Sequence, residues 1–387
     1  MEPQPAPART AERAVPPARR RRGTAAAAVL AVGLLAGCGV RLEAPPADEP
    51  VPDSLEVVRR TAVSDALLVA DGAEAALEEV PARRTRLVTE LTRIAADSRA
   101  QAEALGGEYD SGLATDSPSD TPSSGGDWAT PADVVRTLDD AAARSRTAAG
   151  TTTDGPLARL LASVAAAQTV SGERLAALAD VDGPGVATPR VPTPTGSGRA
   201  AQEGTPAPDD PSDEAESEAT DDADDPDSTG GGDARDDATV PEGLTARDLS
   251  TLVVSEDATR YALQLRAAIG SGTKRERLLE RVDAHGQRAD AWAAVAGTQA
   301  TEQDPRRAAY TVPRVAEQGD RDLVLDLEND LAVDYASLVG TTTAGTRGVL
   351  VDLLVDAALT LDDWGAEPEP FPGLPEQAED GADGASS

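Results

Sequence analysis

The chain reads as an all-α protein, two four-helix units joined by a long polar connection, and three observations predict it. Apolar residues make up 40% of the 387, yet aromatics only 2%, so a core has to be built from Ala, Leu and Val. Alanine and leucine are strong helix formers, and the scarcity of aromatic side chains argues against sheets. Apolar positions recur at steps of three and four along eight stretches, the spacing that lines one face of a helix. Those stretches fall into two sets of four, and within each set the connections run short, long, short.

The first 37 residues stand apart. An arginine cluster, Arg19 to Arg22, precedes an apolar run from Ala25 to Ala36 that stops at Leu35-Ala36-Gly37-Cys38. A basic start, an apolar stretch too short to span a bilayer and small residues before a lone cysteine form the layout of a secretory signal peptide. This resembles the lipobox of bacterial lipoproteins. The resemblance implies cleavage before Cys38, a diacylglycerol on its thiol and an N-acyl lipid on the new terminus, hence a chain anchored to the extracytoplasmic face of the cell membrane. Cys38 is the only cysteine, so once lipidated it leaves no thiol for a disulfide, a metal site or a nucleophile. Residues 38–52 are proline-rich and read as a stalk.

The first four-helix unit covers 53–182. Its first helix carries Leu55, Val58, Ala62, Ala66, Val69, Ala73, Leu77 and Val80 on one face and ends at Pro81. A second, with Leu87, Leu91, Ile94 and Leu105, stops at Gly106-Gly107. The stretch from Glu108 to Trp128 is rich in Ser, Asp, Gly and Pro and reads as a long loop. Thr130 before Pro131 predicts an N-cap with proline at the first helical position, opening a third helix with Val134, Leu138 and Ala141. After the turn Gly150 to Gly155, a fourth shows Leu157, Leu161, Val164, Leu175 and Leu178.

Residues 183–243 lose the pattern. Asp209 to Asp237 holds fourteen acids against Arg235, a composition of low hydrophobicity and like charge that predicts disorder. Such a linker would hold the halves roughly 40 Å or more apart. Asp225, Asp227 and Thr229 before Gly230 echo a calcium loop, but no flanking helices are there to shape it.

The second unit covers 244–366. Thr245 to Ile269 reads as a helix, and Thr273 with Glu276 as a capping box for the next, which reaches about Ala296. A connection containing Pro305 and Pro313 leads to a third, Asp320 to Val339, and Thr341 to Thr346 turns into a fourth that ends near Trp364. Residues 367–387 read as a disordered tail. A long middle connection between two short ones suits ferritin-like bundles with one crossover. Ser255-Glu256-Asp257-Ala258 with Tyr261, Asp283-Ala284-His285, Asp326-Leu327-Glu328 with Asp334-Tyr335-Ala336, and the ending Phe371-Pro372-Gly373-Leu374-Pro375-Glu376 together resemble a ferritin-like domain of unknown function from actinobacterial lipoproteins. The resemblance spans about Leu244 to Glu376, with the first half similar as a diverged copy. With Lys274 the only lysine among 35 basic residues, the composition also looks like GC-rich coding.

Charge narrows the partners. The formal net charge is −34, and removing Met1 to Gly37, with six arginines and two glutamates, leaves the rest more acidic still. Such a surface repels phosphate backbones and anionic lipid heads, which disfavours nucleic acid and limits membrane contact to the lipid anchor.

A di-iron bundle takes a glutamate from each of two helices and a Glu-x-x-His pair from each of the others. This chain has one histidine, His285, with Val282 three residues before it. His285, Glu328 and Glu256 are therefore the metal candidates, too few for tight binding of a divalent cation. Glu328 lies in an apolar stripe; Glu256 is ambiguous, because Val254, Ala258, Tyr261 and Leu265 make a second face; Asp352 and Asp356 read as pointing away. In the first half Ser98, Gln101, Gln168 and Ser171 read as inward polar residues able to satisfy one another, either the remnant of a lost metal site or polar groups tolerated in an alanine core. No nucleophile elbow or phosphate loop is present, so no catalytic or cofactor-binding residue is assigned. The expectation is a lipid-anchored protein with a structural or partner-binding role toward an envelope protein, the alternative a ferritin-like metal or redox protein with a degenerate site.

Overall fold

The computed structural model describes residues 51–110, 130–186, 188–192, 240–312 and 317–377. The signal segment, Cys38, nearly all of the stalk, residues 193–239 with the calcium-like stretch, and the last ten residues lie outside that set.

The described residues form eight helices and no strand: α1 Ser54–Glu79, α2 Thr85–Ala104, α3 Pro131–Thr151, α4 Gly155–Ala179, α5 Ala246–Ile269, α6 Gly272–Val295, α7 Asp320–Thr341 and α8 Gly348–Asp363. Local chemistry sets their starts. The Asp53 carboxylate accepts the Glu56 N–H at 2.8 Å to begin α1, and Thr130 and Asp133 close a capping box at α3 with Pro131 at its first turn. Thr245 and Asp248 do the same at α5. At α6 the expected Thr273–Glu276 box does not form. The helix starts at Gly272 with Ser271 as N-cap and no side-chain cap, so both residues already sit inside the first turn.

Packing divides the helices into two groups. In the first half α1 lies against α2 and α3, and α4 against α2 and α3; in the second, α5 lies against α6 and α7, and α7 against α8. The halves are not held apart, contrary to the expectation from the linker. Within one compact unit α4 packs on both α7 and α8, and α3 on α8. A single apolar core runs through both halves, with Ala62, Leu161 and Val164 from one and Tyr335, Leu350 and Leu354 from the other. Burial of apolar surface is non-directional and scales with area, so small side chains brought close together serve as well as a few large ones.

The seam repeats in sequence and in space. Gly150 to Gly155 reads Gly-Thr-Thr-Thr-Asp-Gly, and Gly340 to Gly345 reads Gly-Thr-Thr-Thr-Ala-Gly. Each turn meets the opposite half: Gly345 N–H donates to Gly150 O at 2.6 Å, while Gly155 at the start of α4 backs onto Gly340 at the end of α7. Together with α4 on α8, and α4 on α7 matched by α3 on α8, this is the reciprocal pattern of an isologous pairing.

The expected tail is part of the fold as far as the described residues go. Phe371 and Leu374 are 7% and 4% exposed and belong to the shared core. Gln101 Nε2 donates to Pro370 O at 3.1 Å, and Ser163 Oγ donates to Pro372 O at 2.8 Å, so the first half clasps the segment. Gly373 makes the turn at φ +75°, where a Cβ would stand 2.6 Å from Ala332 O. The connection is likewise docked at both ends: Val191 enters the core, and Thr343 N–H donates to Glu242 O at 2.9 Å.

Candidate functional site

The second half is organised around a buried charged cluster, and α6 supplies its centre. His285 is fully buried, and at its four- and three-residue neighbours Arg281 and Arg288 share its face of the helix. The Nδ1–H of His285 donates to Glu256 Oε2 on α5 at 2.7 Å, and its Nε2–H donates to Glu328 Oε1 on α7 at 3.1 Å. Arg281 reaches the same Glu328 oxygen through Nε at 3.0 Å and Nη2 at 2.8 Å, and Asp356 Oδ2 on α8 through Nη1 at 3.0 Å. Arg288 Nη2 donates to Asp356 Oδ2 at 2.6 Å, and the Tyr335 hydroxyl donates to Glu256 Oε1.

Electrostatics follow from that geometry. Burial opposes charge on the imidazole, but Glu328 and Glu256 outweigh it and raise the His285 pKa above its usual 6.5. Burial likewise opposes ionisation of Glu328, yet Arg281 and His285 hold its carboxyl below the ordinary range; Arg288 and Arg281 do the same for Asp356. Burial, with Glu256 next, pushes the Tyr335 hydroxyl well above its usual value, so it stays a donor. Three cations, Arg281, His285 and Arg288, thus face three carboxylates. Opposite charges at this distance repay part of their desolvation only while the set is complete.

Several expectations change here. His285 bridges Glu256 and Glu328, and Glu256, ambiguous in sequence, is 0% exposed and wholly inward. Tyr261, on the second face of α5, packs against Tyr310 instead, with ring centroids 5.8 Å apart. Asp356 turns inward to the arginines, and Asp352 meets Arg146 of α3 at 2.6 Å across the seam. Reasoning from the apolar stripe of α6 passed over Arg281 and Arg288, although their spacing from His285 puts them on its face. In the first half, Ser98, Gln101, Gln168 and Ser171 share no hydrogen bond. Gln101 turns to the Pro370 carbonyl, Gln168 accepts from Ser145 Oγ at 3.3 Å, and Ser171 accepts from Arg93 Nη2 at 3.2 Å.

The cluster does not fit the metal pair of a ferritin-like bundle. Glu256 Oε1 and Oε2, Glu328 Oε1 and Asp356 Oδ2 already accept from phenol, imidazole or guanidinium, and Glu328 Oε2 is buried without a hydrogen-bond partner. Two guanidinium groups among these carboxylates put like charge where a metal cation would sit, and few oxygens stay open where tetrahedral zinc takes four ligands. Among the described residues no group of three or more His, Cys, Asp or Glu is arranged to hold a metal ion. What the arrangement does chemically is lock α5, α6, α7 and α8 to one another through directional bonds that apolar packing cannot supply.

No curated protein and no solved structure matches the chain. Residues 249–376, which contain every member of the charged cluster and the segment clasped by the first half, match the sequence model of a family described as a domain of unknown function, DUF4439.

Proposed function

We propose that this is a membrane-anchored extracytoplasmic lipoprotein, tethered through lipid on Cys38, that presents two ferritin-like four-helix bundles, the first a diverged copy of the second, in a structural or partner-binding role without catalysis. The observation that carries the non-catalytic part is the placing of Arg281 and Arg288 among Glu256, His285, Glu328 and Asp356, where a bundle enzyme of this architecture keeps its metal. A self-neutralised cluster stabilises a fold and has no open position for a substrate. The anchoring part is supported by the run ending at Leu35-Ala36-Gly37-Cys38. No helix among the described residues is long and apolar enough to cross a membrane.

Two measurements test the reading separately. Cys38→Ala is expected to release the protein from the membrane fraction or leave its precursor uncut; a variant that fractionates and migrates as wild type removes the anchor. Elemental analysis of the chain from Gly39 onward is expected to find no bound metal after dialysis. Stoichiometric iron, manganese or zinc would instead favour a ferritin-like metal or redox protein.

A further inference from the structure

The two halves keep a common register. α1 ends at Glu79 and α5 at Ile269, and α3 ends at Thr151 and α7 at Thr341, 190 residues apart in both cases. The same offset relates the contacts between those helices. Asp65 of α1 accepts from Arg144 Nε of α3 at 2.8 Å, and at the matching places Ser255 Oγ of α5 donates to Asp334 of α7 at 3.2 Å. It also carries the turn Gly150 to Gly155 onto Gly340 to Gly345.

Contacts across the seam obey the offset in both directions. Gly345 N–H reaches Gly150 O, and exchanging each glycine for its counterpart gives Gly155 against Gly340, the other close backbone approach. Two repeats tied by a long connection are free to meet head to tail, which pairs unlike faces and does not return on itself. Here each half offers the same turn to the other, so the face is self-complementary, as in a twofold pairing of like with like.

Buried positions show what each half keeps. Where the second half has Glu256, Glu328 and Tyr335, the first has Ala66, Leu138 and Ser145, all at most 2% exposed. The first half has the pairing turn without these members of the charged cluster. One exchange also favours it as a partner: Arg146 of α3 holds Asp352 of α8 at 2.6 Å, and its counterpart on α7 is Ala336, which has no charge to offer.

We propose that the seam face of the second half, the turn 340–345 with α7 and α8, is a self-pairing surface whose fitting partner is the same face of a second copy of this chain. The first half fills that face as an internal stand-in and keeps the chain single. This rests on the reading of the first half as a diverged copy and says what that copy is for. Two second halves would bring Asp352 to Ala336 without a guanidinium, and a tethered partner competes at an effective concentration set by its linker, so the internal pairing wins while it is intact.

The test opens the seam from the first half alone. Arg146→Glu opposes Asp352, Gly155→Glu drives its Cβ and a carboxylate against the Gly340 carbonyl, and Ser163→Glu sets a carboxylate against the Pro372 carbonyl. The triple variant of the chain from Gly39 to Ser387 is compared with the unchanged chain by sedimentation velocity from about 1 to 100 µM, the range of a modest protein–protein affinity. The unchanged chain should stay single, and the variant should double its mass as concentration rises, with amide protection retained in α5 and α6. Adding Gly340→Glu spoils the second half's own face and should return the variant to a monomer. A triple variant that stays single, with its second half folded or not, overturns the surface. So does an unchanged chain that already pairs, or a dimer that survives Gly340→Glu. The common register of the halves stands apart from these outcomes, and the Cys38→Ala fractionation and the metal analysis test the proposed function on their own.

Discussion

Gly155 and Gly340 meet backbone to backbone across the seam between the halves, so closely that a methyl group on Gly155 would come within 2.1 Å of the Gly340 carbonyl oxygen. No side-chain rotation relieves such a clash, because the atom in the way is main chain. Gly155→Ala should therefore destabilise the chain by about 1–3 kcal/mol, as overpacking does. Gly150→Ala is the control. It lies inside α3 with nothing within 4 Å of its added carbon, and it should be neutral or stabilising by about 0.5–1 kcal/mol. Thermal melting of the two variants checks the pair, and equal effects would mean that the seam is looser than described.

A cut placed between residues 193 and 239 should not free the halves. They share one apolar core, a backbone bond from Gly345 to Gly150 and ion pairs from Arg146 to Asp352 and Arg174 to Asp362. After cutting, the fragments are expected to co-elute on size exclusion and to melt in one transition, as a single cooperative unit does. Fragments that separate in native buffer would return the picture of two independent bundles.

The segment Pro370 to Leu374 gives the clasp its own test. Ser163→Ala leaves the Pro372 carbonyl without its donor in a buried place, at a cost of about 1–3 kcal/mol. Gly373→Ala should cost more, since it combines a positive φ with a contact to the Ala332 carbonyl. Hydrogen exchange at Phe371 and Leu374 should rise first in both variants, ahead of global unfolding.

Arg288 and Asp356 can be tested by a double-mutant cycle. Arg288→Met removes one of the two guanidinium partners of Asp356 and leaves it with Arg281 alone, which should cost about 1–3 kcal/mol. With Asp356→Leu added, the loss should be smaller than the sum of the two single changes, because Arg281 keeps Glu328. A coupling energy near zero would place the two residues in independent roles.

Much of the helical frame was legible in the sequence because its signals are local. Thr130-Pro131, Thr245 with Asp248 and the three-and-four spacing depend on neighbours within a turn, and they place most helix starts and faces. The seam was harder, since pairing of the halves depends on which surfaces meet, and alanine carries little directional information. Its signal was the repeat of Gly-Thr-Thr-Thr at 150 and 340, which marks two turns built for the same close approach. At the site, hydrophobic patterning read Asp356 as pointing away and passed over Arg281 and Arg288, because charge usually faces solvent. Only the spacing around His285 could have shown that a set of opposite charges was inward together.

The pH dependence of stability follows from that set, and its sign can be worked out group by group. His285 has a raised pKa in the fold, so its contribution is fully present below 6.5, the unfolded value, and is lost as pH rises through the folded value. Above 6.5 the unfolded chain releases this proton while the native chain keeps it between Glu256 and Glu328, and stability should fall by up to about 1.4 kcal/mol per pH unit until His285 titrates in place. Glu328 and Asp356 have lowered values and act in the other direction, their contribution present above the ordinary carboxylate range and lost as pH falls below it. Stability should therefore peak in mildly acidic solution and decline on both sides. His285 is the only histidine, which assigns the decline above 6.5 to one residue. In His285→Gln the alkaline arm above 6.5 should flatten, while the acid arm remains with Glu328 and Asp356. Denaturant unfolding of both proteins across both arms decides it. If the alkaline arm survives the substitution, the imidazole is not the charged centre of the cluster.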